Sequence, residues 1–179
     1  TTTLIDRLME TLEEKAQPEP DGPLITIRGY DAALNRGAEM VAGAQQNVFL
    51  SGWPKEIERL LPHLKEAEAR GVQAWVLVYG RLDAPLRHCY FHEPPSLDGH
   101  LADAIPALVV VADHSAALMA SVSQATPVTA LWTRNRGVTL IAAELIKHDI
   151  FLAALTQRFG PELSTIMTQM QDLQKMWFR

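Results

Sequence analysis

Residues 127–155 read P-V-T-A-L-W-T-R-N-R-G-V-T-L-I-A-A-E-L-I-K-H-D-I-F-L-A-A-L, and their hydrophobic period changes once. Val128, Ala130 and Trp132 occupy alternate positions, which predicts a short strand. Asn135 then suits the N-cap of a helix, because its side chain can accept a hydrogen bond from a free backbone N–H. The predicted apolar stripe of this helix is Val138, Ile141, Ala142, Leu145 and Leu152. Ligands of open α/β sheets bind at the carboxyl ends of strands, so this junction is the first place to look for function.

The chain before this junction contains a strand, a helix and a second strand in succession. Residues 47–53 and 72–78 are apolar runs that predict buried strands. Between them, Pro54 suits a first helical turn and Gly71 suits the position after the last one. The intervening helix repeats its apolar residues at helical spacing, namely Ile57, Leu60, Leu61 and Leu64. A unit of this length predicts a right-handed crossover between parallel strands.

The remaining elements predict a mixed sheet. Residues 24–28 resemble a strand that leads into an alanine-rich helix over 31–46. Residues 107–111 and 116–121 are two strands around the turn Asp113-His114-Ser115, which predicts a hairpin. We therefore expect an α/β fold with a mixed sheet and helices on both faces.

Both ends of the chain carry a short seam, that is, apolar residues repeated three or four positions apart as in a coiled coil. We predict a linker or dimerisation helix over 1–17, a globular body over 24–159 and an amphipathic helix over 160–179, with a stiff hinge P-E-P-D-G-P at 18–23. The first helix could pack on its own domain or belong to a longer dimerising linker. Two seams that flank one body suggest a homodimer, with packing of both seams within their own chain as the alternative. The interface residues that we predict are Ile5, Leu8, Leu12, Leu163, Ile166, Met170, Leu173 and Trp177.

The aromatic strand ends define the predicted ligand site. Trp53, Tyr79 and Trp132 each finish a strand and could rim one crevice, or they could simply be core residues. Aromatic faces with a few hydroxyl, amide and guanidinium groups suit a hydroxylated ligand, and arginine adds recognition of a carboxylate or phosphate. The predicted ligand-binding residues are Ser51, Trp53, Tyr79, His92, Trp132, Thr133, Arg134 and Asn135. The helix adds polar residues, and Asp149 is a candidate partner for Arg134.

Residues 79–103 show no sustained period and read as a long loop. The loop contains donor types that zinc prefers, namely His88, Cys89, His92, Glu93 and His100. Their spacing does not fix a metal site, because Pro94 and Pro95 disfavour the helix that would align two histidines. The loop could be a ligand-contacting lid, a metal site, or a solvated or packed connection. We expect no metal and no cofactor.

The overall composition limits the possible partners. The chain has 179 residues, 47% of them hydrophobic, and a net charge of −5 from 16 Lys+Arg against 21 Asp+Glu, so we do not expect it to bind nucleic acid by itself. There is no apolar run of transmembrane length and no signal-peptide pattern, and the one cysteine suits a reducing cytoplasmic location. Because the first residues are T-T-T-L-I-D without Met, we expect a piece of a longer protein.

Six segments together resemble the effector domain of bacterial TrmB-type transcriptional regulators. They are G-Y-D-A-A-L, N-V-F-L-S-G-W-P-K-E-I, A-E-A-R-G-V-Q-A-W-V-L-V, L-V-V-V-A-D-H-S-A-A-L-M-A-S, A-L-W-T-R-N and I-K-H-D-I-F-L-A-A-L. W-T-R-N at 132–135 and H-D-I-F-L at 148–152 are the most specific parts. The resemblance implies a phospholipase-D-like fold, a sensed small molecule such as a sugar, and an upstream winged-helix DNA-binding domain joined through a dimerising helix.

The phospholipase D resemblance also allows a test for catalysis. Active members of that fold carry His-x-Lys, four residues, then Asp, and the aligned positions here are Ile105, Ala107 and Ala112. The nucleophile and the phosphate-binding cation are therefore missing. We expect a ligand-sensing domain without catalysis. The alternatives are an enzyme that uses the loop histidines, tested with His88→Ala and His92→Ala, and an oligomerisation module without a ligand.

Overall fold

A computed structural model describes residues 22–92, 108–121 and 128–169, which form one mixed sheet and three helices. The strands are β1 (Leu24–Arg28), β2 (Asn47–Gly52), β3 (Gln73–Tyr79), β4 (His88–His92), β5 (Leu108–Ala112), β6 (Ala116–Ser121) and β7 (Thr129–Thr133). The helices are α1 (Tyr30–Gly43), α2 (Pro54–Ala69) and α3 (Arg136–Gln169). The strand order is β1-β7-β6-β5-β2-β3-β4.

Strand direction divides the sheet into two parts. β2, β3 and β4 are parallel, as the predicted crossover requires, whereas every other neighbouring pair is antiparallel. β2, β3 and β4 therefore finish at one end of the sheet, which we call the carboxyl end. Three successive antiparallel pairings separate β2 from β7, so β7 finishes at the opposite end, which we call the amino end.

The sheet is the middle layer of three, because alternate strand residues face opposite helices. Val48 and Leu50 of β2 belong to the core under α1 and α2, whereas Phe49 of β2 and Leu77 of β3 belong to the core under α3. Burial of a side chain such as Leu50, which is fully inaccessible, stabilises the fold by about 1.5–3 kcal/mol. The predicted α/β fold with helices on both faces is confirmed.

The predicted limits of α2 are also confirmed. Pro54 lies in its first turn, where the missing N–H costs nothing. Gly71 has φ +91° just after its last turn, a conformation that side chains rarely adopt. Of the predicted stripe, Ile57, Leu60 and Leu64 are buried.

The hairpin turn between β5 and β6 contains a structural carboxylate. Asp113 and His114 have positive φ values of 51° and 52°, which is unfavourable for residues with side chains. The Asp113 carboxylate accepts hydrogen bonds from the N–H groups of Gln45, Gln46 and Asn47 at 2.8–2.9 Å. These bonds tie the turn to the start of β2 and offset the backbone cost.

One part of the predicted long loop is a strand. β4 pairs with β3 in parallel and forms an edge of the sheet, whereas residues 93–103 lie outside the described residues. All five β4 residues are half-buried, and their sequence H-C-Y-F-H has no clear alternation of apolar and polar types. The prediction of a loop over residues 88–92 was therefore wrong.

Helix α3 begins where predicted but buries a different face. Asn135 Oδ1 accepts a hydrogen bond from Val138 N at 3.0 Å, which confirms the cap. The buried residues of α3 include Thr139, Ala142, Ala143, Ile146, Ile150 and Ala153. Its exposed large apolar residues are Leu140, Ile141, Leu145, Phe151, Leu152, Phe159 and Ile166. The predicted stripe was wrong at Ile141, Leu145 and Leu152, because α3 turns Ile146, Ile150 and three alanines towards the sheet instead.

The predicted break at Gly160-Pro161 is a kink within α3. Phe159 has non-helical angles (φ −128°, ψ 26°), two residues before Pro161, which has no N–H to continue the helical ladder. Of the predicted interface residues, Leu163 is half-buried and Ile166 is 51% exposed. The others lie outside the described residues, namely Ile5, Leu8, Leu12, Met170, Leu173 and Trp177. None of the described helices has the length and apolar character needed to cross a membrane.

Candidate functional site

Four of the eight predicted ligand-binding residues meet at the carboxyl end of the sheet. Ser51 and Tyr79 face α3, and Tyr79 pairs with His92 of β4 in register. Trp53 follows β2 and packs against the Tyr79 ring at a centroid distance of 5.8 Å. The His92 ring meets Tyr79 edge-on at 6.0 Å. Together with Asp149 of α3, we call these residues the carboxyl-end cluster.

A hydrogen-bonded chain crosses this cluster from β2 to α3. The Tyr79 hydroxyl donates to Asp149 Oδ2 at 3.0 Å and receives a hydrogen bond from Ser51. Burial and the Asp149 carboxylate raise the pKa of Tyr79 well above its usual value, so the phenol keeps its proton at every physiological pH. Tyr79 is therefore a fixed donor that holds the Asp149 carboxylate in one orientation.

His92 adds a neutral imidazole to the cluster. Burial lowers the pKa of His92, and the nearby Asp149 carboxylate only partly opposes this effect. A neutral imidazole has one donor and one acceptor nitrogen, so it can bind a hydroxyl group in either direction.

A groove is lined by residues that lie close in sequence to Tyr79 and His92 of the cluster. Its volume is about 690 Å³, within the range of small-molecule sites. Its lining residues are Arg81, Leu82, Asp83, Phe91, Thr156 and Gln157. Gln157 Nε2 donates to the backbone oxygen of Phe91 at 3.2 Å, so α3 is attached to β4 beside this groove.

The other four predicted residues lie at the amino end of the sheet. We call Trp132, Thr133, Arg134 and Asn135 the W-T-R-N corner. Because β7 runs antiparallel to β6, its carboxyl end lies opposite those of β2 and β3. The prediction of a single crevice that combines both groups was therefore wrong, since a period of two does not encode strand direction.

Hydrogen bonds within the fold occupy the side chains of Thr133 and Asn135. The buried Thr133 hydroxyl donates to the Pro23 oxygen at 3.0 Å and accepts from Asn135 N at 2.9 Å. A β-carbon at Gly22 would lie 3.1 Å from Cβ of Arg134, so the chain passes the corner very closely before it enters β1. These contacts connect β1, β7 and the start of α3.

Trp132 also has structural partners. It belongs to the face that α1 and α2 cover, whereas α3 covers the other face. The guanidinium groups of Arg36 and Arg134 lie 4.3 and 5.7 Å from its ring centroid. Cation–π contacts of this kind contribute about 0.5–1 kcal/mol each at exposed sites.

The candidate metal donors of the loop point in different directions. His88 and His92 face α3, whereas Cys89 faces the opposite side of β4 and packs against the core of α1 and α2. Burial and Glu68 raise the pKa of Cys89 to about 11, which disfavours the thiolate. Within residues 22–92, 108–121 and 128–169, no group of three His, Cys, Asp or Glu side chains could hold a metal ion. Glu93 and His100 lie outside these ranges.

The family follows from a match that covers more than half of the chain. Residues 23–145 match the family model described as "Transcriptional regulator TrmB, EBD N-terminal subdomain", where EBD denotes the effector-binding domain. The chain belongs to the TrmB family of transcriptional regulators. This result confirms the resemblance found in the sequence.

A bacterial relative of this TrmB-family chain is longer than the chain itself. The protein of Bacillus subtilis (strain 168) named "Uncharacterized protein YrhO" is 23% identical over 158 residues, which are 86% of this chain and 54% of YrhO. The chain therefore spans about half the length of this relative.

Solved structures confirm the phospholipase-D-like fold. TrmBL2, described as an archaeal chromatin protein with a novel mode of DNA binding, has a TM-score of 0.58 at 16% identity, over 85% of this chain and 61% of its own. NucT from Helicobacter pylori has a TM-score of 0.54 at 10% identity, over 74% of this chain and 98% of its own. Nuc from Salmonella typhimurium, a phospholipase D family member, has a TM-score of 0.50 at 14% identity, over 73% of this chain and 96% of its own. At these identities the likeness concerns the fold alone.

Of the three positions aligned with the phospholipase D motif, only Ala112 is described. It pairs with Val48 near the start of β2 and is buried. Ile105 and Ala107 lie outside the described residues.

The sequence did not predict the partner of Asp149 or the lining of the groove. Asp149 accepts a hydrogen bond from Tyr79 and lies far along α3 from Arg134, so the suggested pairing with Arg134 was wrong. The groove residues Arg81 and Asp83 belong to no sequence motif that would have indicated a site. The available signal was their position just after β3, because residues that follow parallel strands gather at the carboxyl end.

Proposed function

We propose that this chain is the effector-binding and dimerising part of a TrmB-type regulator that acts in the cytoplasm without catalysis. The effector is a small hydroxylated metabolite, with sugars and sugar derivatives as the first candidates. The chain contacts DNA only through a winged-helix domain outside this sequence. Binding of the effector at the carboxyl end changes the arrangement of the two DNA-binding domains in a homodimer.

The hydrogen-bonded chain from Ser51 through Tyr79 to Asp149 carries this proposal. Fixed donors and acceptors beside aromatic faces are typical of sites for hydroxylated ligands, and residues that follow Tyr79 and precede His92 in the chain help to line a groove of about 690 Å³. Asp83 and Asp149 supply carboxylate acceptors for ligand hydroxyls, and Trp53 supplies a ring face. Thr133 and Asn135 of the W-T-R-N corner are less suitable, since their side chains already bind the backbone of the protein itself.

Helix α3 offers a physical route from effector to dimer. Asp149 and Thr156 lie on the helix that continues towards the predicted C-terminal seam. An effector that binds more tightly to one position of α3 would favour that position, by no more than its difference in affinity between the two states.

A thermal-shift screen with sugars, sugar phosphates and small carboxylates tests the proposal. A ligand that binds only the folded state raises the melting temperature with its concentration. We expect the Tyr79→Phe variant to lose this shift, because the ligand-facing Asp149 carboxylate is then no longer held. The matched control is Tyr90→Phe, on the same face of neighbouring β4 but outside the hydrogen-bonded chain. Equal ligand shifts in both variants would contradict the site.

The proposed lack of catalysis needs a separate assay. The chain carries Ile105, Ala107 and Ala112 at the motif positions, so we expect no hydrolysis of phosphodiesters. Measurable turnover that disappears in His88→Ala or His92→Ala would favour the alternative of an enzyme that uses the strand histidines.

A further inference from the structure

The outer surface of α3 is unusually apolar. Nine large apolar side chains are exposed in the described part of the chain, and seven of them lie on this helix. Ile141 is 72% exposed and Phe151 is 65% exposed. The face that α3 turns to the sheet carries three alanines together with Ile146 and Ile150, so the helix has more large apolar side chains outside than against the sheet. We call the six exposed residues up to the kink the outer face of α3, namely Leu140, Ile141, Leu145, Phe151, Leu152 and Phe159; Ile166 follows after the kink.

The size of this face matches a protein interface. A large apolar side chain exposes on the order of 200 Å² when it is free, so the outer face and Ile166 together expose roughly 700 Å². The largest apolar patch of a typical monomer is about 300–600 Å², whereas each partner of a stable complex buries about 800 Å². The area is therefore sufficient for most of one side of a stable interface.

The outer face continues into the predicted C-terminal seam. Ile141, Leu145, Leu152 and Phe159 are separated by four, seven and seven residues, which is the spacing of a coiled-coil seam. Leu163 and Ile166, the described part of the predicted interface, follow on the same helix after the kink at Phe159.

The charges on α3 permit contact between identical copies. Glu144 Oε1 and Lys147 Nζ form an ion pair at 2.8 Å within the helix, and the neighbouring Lys147 lowers the pKa of Glu144. The two charges cancel locally, so two outer faces can approach without strong repulsion between like charges. An interface between two identical copies needs this kind of self-compatible surface.

We propose that the outer face of α3 is the central contact between two copies of this chain. The inference rests on the dimer in the proposed function and extends it, because it places the main contact within the globular body rather than at the two ends. The predicted N-terminal seam is too short to cover this face. At 1.5 Å per residue, Ile5 to Leu12 would span about 10 Å, whereas Leu140 to Phe159 span about 28 Å.

The mass in solution tests the proposal. By sedimentation equilibrium at 1–100 μM, we expect the 19.9 kDa chain to have twice its monomer mass. Leu145→Glu should weaken the dimer by at least about 30-fold, the effect of removing a central contact. Ile25→Glu is the matched control, since Ile25 is 43% exposed on β1 and Leu145 is 46% exposed. Circular dichroism should show that both variants are folded.

Cross-linking identifies the partner surface. We expect Leu152→Cys treated with a short bis-maleimide to give a product of twice the chain mass, while Ile25→Cys gives none. A monomeric chain at 100 μM, or a Leu145→Glu variant that dimerises normally, would overturn the proposal. A chain that is monomeric until residues 1–17 are removed would also overturn the proposal, because that segment would then be what covers the outer face of α3.

The result can be separated from the ligand proposal. Leu145→Glu leaves the carboxyl-end cluster unchanged, so a ligand found by the thermal-shift screen should still stabilise this variant. A dimer that lacks any ligand response would leave the interface standing and reject the effector site.

Discussion

The two ends of the sheet contain similar residue types but use them differently. At the amino end, Thr133 and Asn135 bind the backbone of β1 and α3, and Asp113 binds the backbone that leads into β2. At the carboxyl end, Ser51, Tyr79 and Asp149 bind one another, and residues close to Tyr79 in sequence line a groove. Side chains that satisfy backbone groups stabilise the fold, whereas side chains that orient one another next to an opening are available to a ligand.

This difference leads to an experimental criterion. Substitutions at the amino end should lower stability and leave ligand affinity unchanged in the folded fraction. Substitutions in the carboxyl-end cluster should lower affinity more than stability.

The largest effect is expected for Thr133→Val. Thr133 is fully buried, and valine has the same shape but can neither donate to the Pro23 oxygen nor accept from Asn135 N. Two polar groups lose their partner, so we expect a loss of about 3 kcal/mol and a melting temperature lower by roughly 6–12 °C. Chemical denaturation measures the free energy directly. Thr129→Val, at an exposed position of the same strand, should change it by less than about 0.5 kcal/mol.

The next effect concerns Asp113→Ala and depends on pH. Burial raises the pKa of Asp113, but the hydrogen bonds from Asn47, Gln45 and Gln46 outweigh it, and the net pKa is below 3.8. A lowered pKa means that the stabilisation is present above the unfolded value and is lost as the pH falls through the folded value. We expect Asp113→Ala to cost about 2 kcal/mol at pH 7.

Urea unfolding at a series of pH values checks the sign of this effect. The difference between wild type and Asp113→Ala should be constant from pH 7 to 5 and should shrink below about pH 4. Asp113→Asn keeps one acceptor oxygen and tolerates positive φ, so its free energy of unfolding should lie between those of the wild type and Asp113→Ala. A difference that grows towards acidic pH would contradict the role of the carboxylate.

At the carboxyl end, Asp149→Asn should mainly reduce ligand affinity. The amide keeps one oxygen that can accept from Tyr79 but loses the charge that strengthens bonds to ligand hydroxyls. We expect roughly tenfold weaker binding by calorimetry, with a stability change below about 1 kcal/mol. Glu144→Gln, an exposed acid on the same helix, is the control and should bind normally. A stability loss larger than the affinity loss would assign Asp149 to the fold.

The sequence predicted the elements of this fold better than their relative placement. Local signals gave the limits of α2 and the Asn135 cap, because prolines, glycines and caps act within one turn of the chain. The direction of β7 depends on three antiparallel pairings with distant strands, which no local pattern encodes. For this reason the sequence placed Trp132 and Trp53 at one crevice, although they lie at opposite ends.

The buried side of α3 was mispredicted for a different reason. Hydrophobic periodicity assigned Ile141, Leu145 and Leu152 to the core, but α3 packs on the sheet through Ile146, Ile150 and three alanines. Ile141 and Leu145 remain outside. A helix with two apolar sides gives an ambiguous period, and only the contacts decide which side the sheet covers.

The smallest predicted effect is at the junction where the W-T-R-N corner starts α3. Asn135→Ala removes the acceptor of the Val138 N–H and should cost about 1 kcal/mol, the usual value of an N-cap. Asn135→Asp should restore the loss, because it retains the acceptor and adds a negative charge at the helix N-terminus. If Asn135 serves the fold alone, both variants will bind ligand with wild-type affinity, as measured by calorimetry at a temperature where each is fully folded. Weaker binding in Asn135→Ala that Asn135→Asp does not restore would instead assign the amide to a ligand and remove the distinction between the two ends.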